Sequence, residues 1–254
     1  MTEWTFWGDR QLVSVYGNIY LRTFIEDWFK IVDTFARELR GKIFLDIGCG
    51  EGHTTKQLLD RLHREHTCDL LEPNKEALLS AKSFLSFENK IGDSFVGNLS
   101  NFKPTKKYDS VFTSHTNYYW ADNEVDYQKQ LDKAISLVKS GGRLLILTLP
   151  EESDHYNVML RQVYPTFNYS EYIREYYKQK GFEVKVIRFK MRMYVKDILT
   201  NKNHYELKNF FKFIHNVDNF PSEQESLEFL KKIKQFQKNG YLNFKDELII
   251  VSNK

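Results

Sequence analysis

One ten-residue run constrains this chain more than any other: Ile43-Phe44-Leu45-Asp46-Ile47-Gly48-Cys49-Gly50-Glu51-Gly52. A short apolar segment holds an acid near its end, a glycine-dense turn follows, and a helical pattern opens at Thr54-Thr55-Lys56-Gln57-Leu58-Leu59. Strand, glycine turn and helix form the opening of a nucleotide-binding βα unit. Glycines let the main chain turn sharply and let a ligand lie against bare backbone. Two common patterns do not fit. A dinucleotide fingerprint, Gly-x-Gly-x-x-Gly, would need its third glycine at His53, and a P-loop would need a Gly-Lys-Ser/Thr tripeptide that the chain lacks. Neither normally has an acid just before the first glycine. The bland alternative is a strand-to-helix turn whose glycines serve packing alone.

The form Asp-x-Gly-x-Gly-x-Gly resembles motif I of the class I S-adenosylmethionine-dependent methyltransferases. That resemblance implies an α/β fold, a doubly wound, mostly parallel sheet of seven strands. It implies S-adenosyl-L-methionine as cofactor and S-adenosyl-L-homocysteine as product. It places Asp46, Gly48, Cys49 and Gly50 at the cofactor, with Asp46 helping to hold the loop and the cationic methionine end.

Later motifs arrive at matching distances. Thr67-Cys68-Asp69-Leu70-Leu71-Glu72 reads as a second strand ending in an acid. Glu72 lies 22 residues after Gly50, where a doubly wound fold places the carboxylate that takes both ribose hydroxyls. A carboxylate suits this because it accepts two hydrogen bonds at once. Pro73 adjoins it, and Asn74 is a natural N-cap for the next helix. Ile91-Gly92-Asp93-Ser94 is expected to follow a short third strand. In the resembled family an acid here accepts the adenine amino group, which brings in Asp93 and Ser94. The alternative for Asp93 is a turn former beside Gly92.

Tyr108 to Ser114 reads as the fourth strand and runs into His115-Thr116-Asn117-Tyr118-Tyr119-Trp120. Residues just past strand carboxyl ends line the ligand crevice of an open α/β sheet, so Ser114 joins the cofactor set and this loop faces the transferable methyl. It lacks the Asn/Asp-Pro-Pro-Tyr/Phe motif of enzymes that methylate adenine or glutamine amides, and the Pro-Cys pair of cytosine C5 enzymes. Its tyrosines and tryptophan suggest an aromatic wall for a small, cationic substrate. His115 is the group placed to take a proton, and Tyr119 is the second catalytic candidate. The alternatives are a hydrogen-bonded structural histidine and, for Tyr118, core packing.

Around this core, residues 8–39 carry Leu12, Tyr16, Ile19, Tyr20, Phe24, Trp28, Ile31, Val32 and Phe35 at helical spacing. We expect a helical lid there, with Tyr16, Tyr20 and Glu26 toward substrate; the alternative packs the aromatics on the domain and leaves Glu26 solvated. A helix over about 122–139 should stop at Ser140-Gly141-Gly142, before a fifth strand from Arg143 to Pro150. The Lys-x-Gly-Gly-x-Leu run there resembles the family's helix-to-strand turn. Further helices are expected from Asp154 to about Tyr164, from Tyr169 to Lys180 and within 195–239, and strands from Gly181 to Phe189 and from Leu242 to Ser252. The chain is thus read as one domain, 1–254, with a cofactor-binding core over 40–150. The substrate-side half, 151–254, carries a helical insertion at about 196–240.

That layout is similar to histamine N-methyltransferase and its relatives, in an aromatic N-terminal helix, a Tyr-Tyr pair after strand four and a helical insertion before the last strand. The similarity implies Tyr16, Tyr20, Glu26, Tyr118 and Tyr119 at the substrate. Departures are His115 where that family has a glutamine, the more acidic motif I, and Asn243 as a loose counterpart of a substrate-contacting asparagine.

Composition narrows the partners. A net charge of +3 over 254 residues implies no strong field toward nucleic acid or membrane. Two cysteines, Cys49 and Cys68, offer neither a disulfide framework nor zinc spacing, so no metal is expected. Met1-Thr2-Glu3-Trp4 lacks the basic and apolar regions of a signal peptide, and no apolar run reaches the roughly 18 residues of a membrane helix. The expectation is a cytoplasmic enzyme that moves a methyl group to nitrogen of a small basic or aromatic molecule by in-line displacement. The alternatives are a small-molecule O-methyltransferase acting on a carboxylate or hydroxyl, a tRNA- or protein-modifying enzyme, and a non-catalytic cofactor-binding subunit. The macromolecular reading rests on Lys231, Lys232, Lys234 and Lys238, which Glu225 and Glu228 offset. The sequence carries no signal of oligomeric state.

Overall fold

The computed structural model describes residues 25–62, 65–86, 90–154, 169–196, 199, 207–208, 211 and 221–254. Its elements are α1 (Ile25–Glu38), β1 (Ile43–Ile47), α2 (His53–Arg61), β2 (Thr67–Glu72), α3 (Lys75–Phe84), β3 (Ile91–Val96), β4 (Tyr108–Ser114), α4 (Glu124–Ser136), β5 (Val138–Thr148), α5 (Ser170–Gln179), β6 (Glu183–Tyr194), α6 (Glu223–Phe236) and β7 (Tyr241–Ser252). The seven strands run in the order β3-β2-β1-β4-β5-β7-β6. The pairs β2–β3, β1–β2, β1–β4 and β4–β5 are parallel, and β5–β7 is antiparallel. Strand order reverses between β1 and β4, which makes the carboxyl ends of those strands the switch point where an open α/β sheet binds ligands.

Two compact units separate: 30–150, 166–188 and 247–254 form the larger, and 1–29, 151–165 and 189–246 the smaller. The 151–254 segment therefore does not stay together. In the larger unit β1, β2 and β4 are buried almost throughout, as strands covered on both faces are. Val111 and Phe112 are neighbours in β4 and face opposite sides of the sheet. Val111 joins a core with Leu45, Leu144 and Ile146, sealed by Tyr127, Leu131 and Ala134 of α4 and by Ile173 and Tyr177 of α5. Phe112 meets the edge of Phe35 from α1, with centroids 6.0 Å apart. Asn74 caps α3, its side chain accepting from the backbone N–H groups of Glu76 and Ala77.

The glycine pair Gly141-Gly142 does not end a helix. The helix expected over 122–139 stops at Ser136, and β5 already begins at Val138. The register runs from Tyr108↔Val138 to Ser110↔Arg143, so β5 bulges out its extra residues across that pair. A side chain at Gly142 would strike the Asp109 carbonyl, and Gly141 has φ 78°. Asp109 pins this end of the sheet by accepting from the backbone N–H groups of Lys42 (2.8 Å) and Ile43 (2.9 Å) and from the Lys139 ammonium (2.7 Å).

In the smaller unit α6 opens on a reciprocal cap between Ser222 and Glu225 and buries Ser226, Phe229, Leu230 and Ile233. Such a cap is worth about 1 kcal/mol. Arg192 holds the buried Asp27 with two charge-assisted bonds at 2.8 and 3.1 Å. Tyr16, Tyr20 and the rest of the expected lid before residue 25 lie outside the described residues, as do 155–168 and most of 197–220.

Candidate active site

The turn after β1 is tied to the end of β2. Gly48 N–H donates to the Leu71 carbonyl at 2.7 Å, and Gly50 N–H donates to Glu72 Oε2 at 2.9 Å. The Asn74 N–H takes the other Glu72 oxygen at 3.0 Å. Three glycines in this turn have positive φ, for different reasons. A Cβ on Gly48 would lie 2.6 Å from the Thr116 methyl, and one on Gly52 would lie 2.9 Å from Leu85, so both are forced by close packing. Among the described residues a Cβ on Gly50 would meet nothing within 4 Å, so its backbone is left open there, as a ligand-facing glycine should be.

Asp46 lies beneath this turn, 2 % exposed. Thr55 in α2 donates its hydroxyl to Asp46 Oδ2 at 2.6 Å, joining strand to helix. Burial pushes the Asp46 carboxyl up to about 7; the Thr55 bond opposes that shift and the Glu72 charge adds to it. Glu72 is 7 % exposed. Burial raises its pKa, while the Asn74 and Gly50 N–H groups pull it down. Among the described residues neither acid has an ion-pair partner. Cys49 is buried beside them, and burial, with Asp46 and Glu72 adding, holds its thiol well above the usual range. Among the described residues no group of three or more His, Cys, Asp or Glu is arranged to hold a metal.

An adenosine-bearing cofactor fits this arrangement. A carboxylate has about four acceptor sites, and Glu72 spends one per oxygen on backbone, which leaves two for a pair of hydroxyls. Gly50 offers bare main chain. Ser114, at the end of β4, buries an Oγ that has no hydrogen-bond partner among the described residues. Buried hydroxyls in native proteins are almost always satisfied. Pro73, beside Glu72, is exposed.

Asp93 and Ser94 are not at this edge. Residues 91–94 lie inside β3, which runs from Ile91 to Val96, where the sequence suggested that they follow it. Asp93 is the third residue of the strand, near its amino end. Its side chain is 68 % exposed and stands 3.5 Å from the Lys106 ammonium. Gly92 is no turn glycine either: a side chain there would strike the Asp69 carboxylate. The register pairs Glu72 with Val96, so Gly97 and Asn98 occupy the carboxyl end of β3. Gly97 N–H donates to the Glu72 carbonyl at 3.0 Å, and Asn98 is exposed. The available signal was the glycine after Phe95-Val96.

The loop after β4 bends at once. His115 has φ 55°, rare for a side-chain-bearing residue, and its N–H donates to the Leu147 carbonyl at 2.9 Å. Its Nδ1 is 3.2 Å from the Tyr118 hydroxyl, which in turn accepts from Thr148 Oγ1 at 3.2 Å. Tyr118 is buried and meets Tyr119 edge-on, with centroids 6.3 Å apart. Tyr119 is half-buried. Trp120 turns toward Tyr127 of α4 and packs against the core. Glu26 is exposed in the first turn of α1 and belongs to the smaller unit.

No curated protein matches the chain. Among solved structures, YcgJ of Bacillus subtilis is similar at TM-score 0.60 and 14 % identity, covering 91 % of this chain and 100 % of its own. The plantazolicin methyltransferase BpumL, solved with S-adenosylhomocysteine, gives 0.56 and 14 %, covering 98 % and 93 %. The N-methyltransferase NodS of Bradyrhizobium japonicum gives 0.56 and 9 %, covering 90 % and 96 %. At such identities the likeness speaks for the fold alone. The model of the ubiE/COQ5 methyltransferase family matches residues 21–175. Because that match spans more than half of the chain and takes in every element of the glycine-turn site, this protein belongs to the ubiE/COQ5 methyltransferase family and is a class I enzyme that uses S-adenosylmethionine.

Proposed function

We propose that the enzyme methylates a small-molecule acceptor at the carboxyl ends of β1 and β4, with nitrogen of a basic or aromatic molecule as the expected target and oxygen as the second. The carrying observation is Glu72, a buried carboxylate with two acceptor sites left beside the open backbone of Gly50. When bound, S-adenosylmethionine supplies a methyl group on a cationic sulfur, open to in-line attack. The chain's part is to bind and orient. Glu72 takes the ribose hydroxyls, and the backbone from Gly48 to Gly50 carries the methionine end. Asp46 contributes negative charge beneath it. Asn98 replaces Asp93 as the group for the adenine amino, since an amide oxygen also accepts from an N–H. Ser114 Oγ faces the cofactor from β4, and His115, Tyr118 and Tyr119 border the acceptor. Holding two reactants in line supplies roughly 7–11 kcal/mol of a barrier, so no covalent enzyme intermediate is required.

No helix among the described residues is long and apolar enough to cross a membrane. Two free, buried cysteines suit a reducing compartment, and we place the enzyme in the cytoplasm.

The test is calorimetric titration with S-adenosylmethionine and S-adenosylhomocysteine, then with amines and carboxylic acids added to the loaded protein. Micromolar binding of both nucleosides, and an acceptor that binds only afterwards, are expected. Folded protein that binds neither nucleoside would overturn the site.

A further inference from the structure

In-line transfer depends on where two segments stand relative to one another. Under the proposed function the glycine turn after β1 carries the cofactor, and the loop after β4 borders the acceptor. Thr116 touches both. The strands β1 and β4 pair in register as far as Asp46↔Phe112. Just beyond, Thr116 Oγ1 donates to the Ile47 carbonyl at 3.1 Å and meets the hydroxyl of the buried Thr113. The Ile47 carbonyl shares a planar peptide unit with the Gly48 N–H, and that N–H donates to the Leu71 carbonyl at 2.7 Å. The first peptide of the glycine turn is therefore held from two sides, by β2 at its N–H and by Thr116 at its carbonyl. Packing adds to this hold. A Cβ on Gly48 would lie 2.6 Å from the Thr116 methyl and 2.8 Å from its hydroxyl oxygen, so Thr116 fills the flank that glycine leaves bare.

The main chain of Thr116 serves the other segment. Its carbonyl accepts from the Tyr119 N–H at 3.1 Å, closing the single helical turn Asn117–Tyr119 that carries both tyrosines. His115, the residue before it, stands at φ 55° with its N–H bonded to the Leu147 carbonyl at 2.9 Å. Strained backbone persists only where its surroundings determine it. Here β5 holds His115 on one side, and the Thr116 bond to β1 holds the next residue on the other. We infer that Thr116 is a positioning residue, which fixes the tyrosine turn to the cofactor turn so that filling one is felt at the other. This rests on the proposed roles of the two segments. The side chain of Thr116 grips the peptide before Gly48, and its carbonyl sets Tyr119, so the two cannot move independently. A misplacement of about 1 Å between reacting groups can cost about 100-fold in rate, which gives such a tie its use.

The experiment is a titration of the whole protein, labelled with 15N at tyrosine, with S-adenosylhomocysteine. It is read by proton–nitrogen correlation spectra, with Tyr119→Phe assigning the Tyr119 amide. In the wild type that amide should shift as the nucleoside fills the turn. Thr116→Val keeps the size of the side chain and loses the hydroxyl. By calorimetry it should still bind the nucleoside, within about tenfold of the wild type, because one neutral hydrogen bond is removed. Its Tyr119 shift should be largely lost, and Thr116→Ser, which keeps the hydroxyl, should restore it. A Tyr119 amide unmoved by bound nucleoside in the wild type would overturn the inference, a result that needs no variant to fold. A shift of full size in Thr116→Val would overturn it too, since the signal would then reach Tyr119 without Thr116. Folded protein that binds no nucleoside would overturn the cofactor site itself, and this inference with it.

Discussion

Asp46 and Asp69 are both buried acids, one in β1 and the other in its neighbour β2, yet the two ends of the sheet treat them differently. Asp69 belongs to the amino-terminal side. It accepts from the Tyr108 hydroxyl, the Asp93 N–H and the Lys106 ammonium, each at 2.9 Å. Nearby, Asp109 is closed off by two backbone N–H groups and Lys139. At the carboxyl end Asp46 has one hydroxyl donor and Glu72 two backbone donors, and neither has a cation among the described residues. Buried charge is tolerated when paired and costly otherwise. The amino end is finished by its own side chains and serves stability. The carboxyl end leaves two acids without an ion-pair partner among the described residues, which is what the proposed cofactor site, for a cationic sulfur and an ammonium, would use.

The sharpest way to break this contrast is to remove an acid from each end. Asp69→Ala leaves the buried Tyr108 hydroxyl, the Asp93 N–H and Lys106 without their acceptor. It should destabilise the protein by about 3 kcal/mol in urea unfolding while leaving S-adenosylmethionine affinity within about twofold. A large loss of affinity would mean that the amino end is no mere clamp. Glu72→Ala should do the reverse by calorimetry. Hydrogen bonds to a charged acceptor are worth about 1.5–3 kcal/mol each, so losing two lowers affinity by about 100-fold or more. Asp93→Ala should leave affinity unchanged, and a comparable loss there would restore Asp93 to the site.

The glycines sharpen the comparison at smaller cost. Gly48→Ala meets Thr116 as well as a positive φ and should cost about 2–3 kcal/mol of stability. Gly50→Ala has the φ penalty alone, about 1–2 kcal/mol, but its methyl group enters the open space and should weaken cofactor binding more than Gly48→Ala does per unit of stability lost.

The two ends also differ in sign with pH. The folded Asp46 carboxyl titrates near 7, above its ordinary 3.8. Its contribution to the stability of the cofactor-free protein is therefore full below about 4 and is lost as pH rises toward 7. The slope is at most about 1.4 kcal/mol per pH unit. Asp109 behaves oppositely. Burial pushes it up, but the Lys139 ammonium and the N–H groups of Lys42 and Ile43 win and hold it below its ordinary value. Its stabilisation is present above that ordinary value and is lost as pH falls through the lowered one. Thermal melts from about pH 2 to 8 should show Asp46→Asn flattening the first trend, between about pH 4 and 7, and Asp109→Asn removing part of the second, below about pH 4.

Much of this was legible in local pattern. The limits of β2 and β4, the Asn74 cap, the helix after Gly52 and the long final strand all follow from periodicity and turn chemistry that act over a few residues. That Glu72 would lie beside the glycine turn follows from spacing alone, because a βαβ unit of ordinary length brings the second strand's end beside the first turn. Other glycines and acids misled. Gly92 and Gly142 look like turn formers in sequence, and each is a glycine because a neighbouring strand comes too close for a side chain.

The sequence by itself determined where the cofactor turn is, because glycine's freedom and the strand–turn–helix alternation are local properties. Only the tertiary structure decided which acids are spent and which are left over. Asp69 and Asp93 look no different from Asp46 and Glu72 along the chain, and they part company through Tyr108, Lys106 and the register of β3. Thr148 and Tyr118 are 30 residues apart, and their hydroxyls meet only because β4 and β5 end side by side. Side-chain pairing across a sheet is set by packing, and no periodicity in a single segment records its outcome.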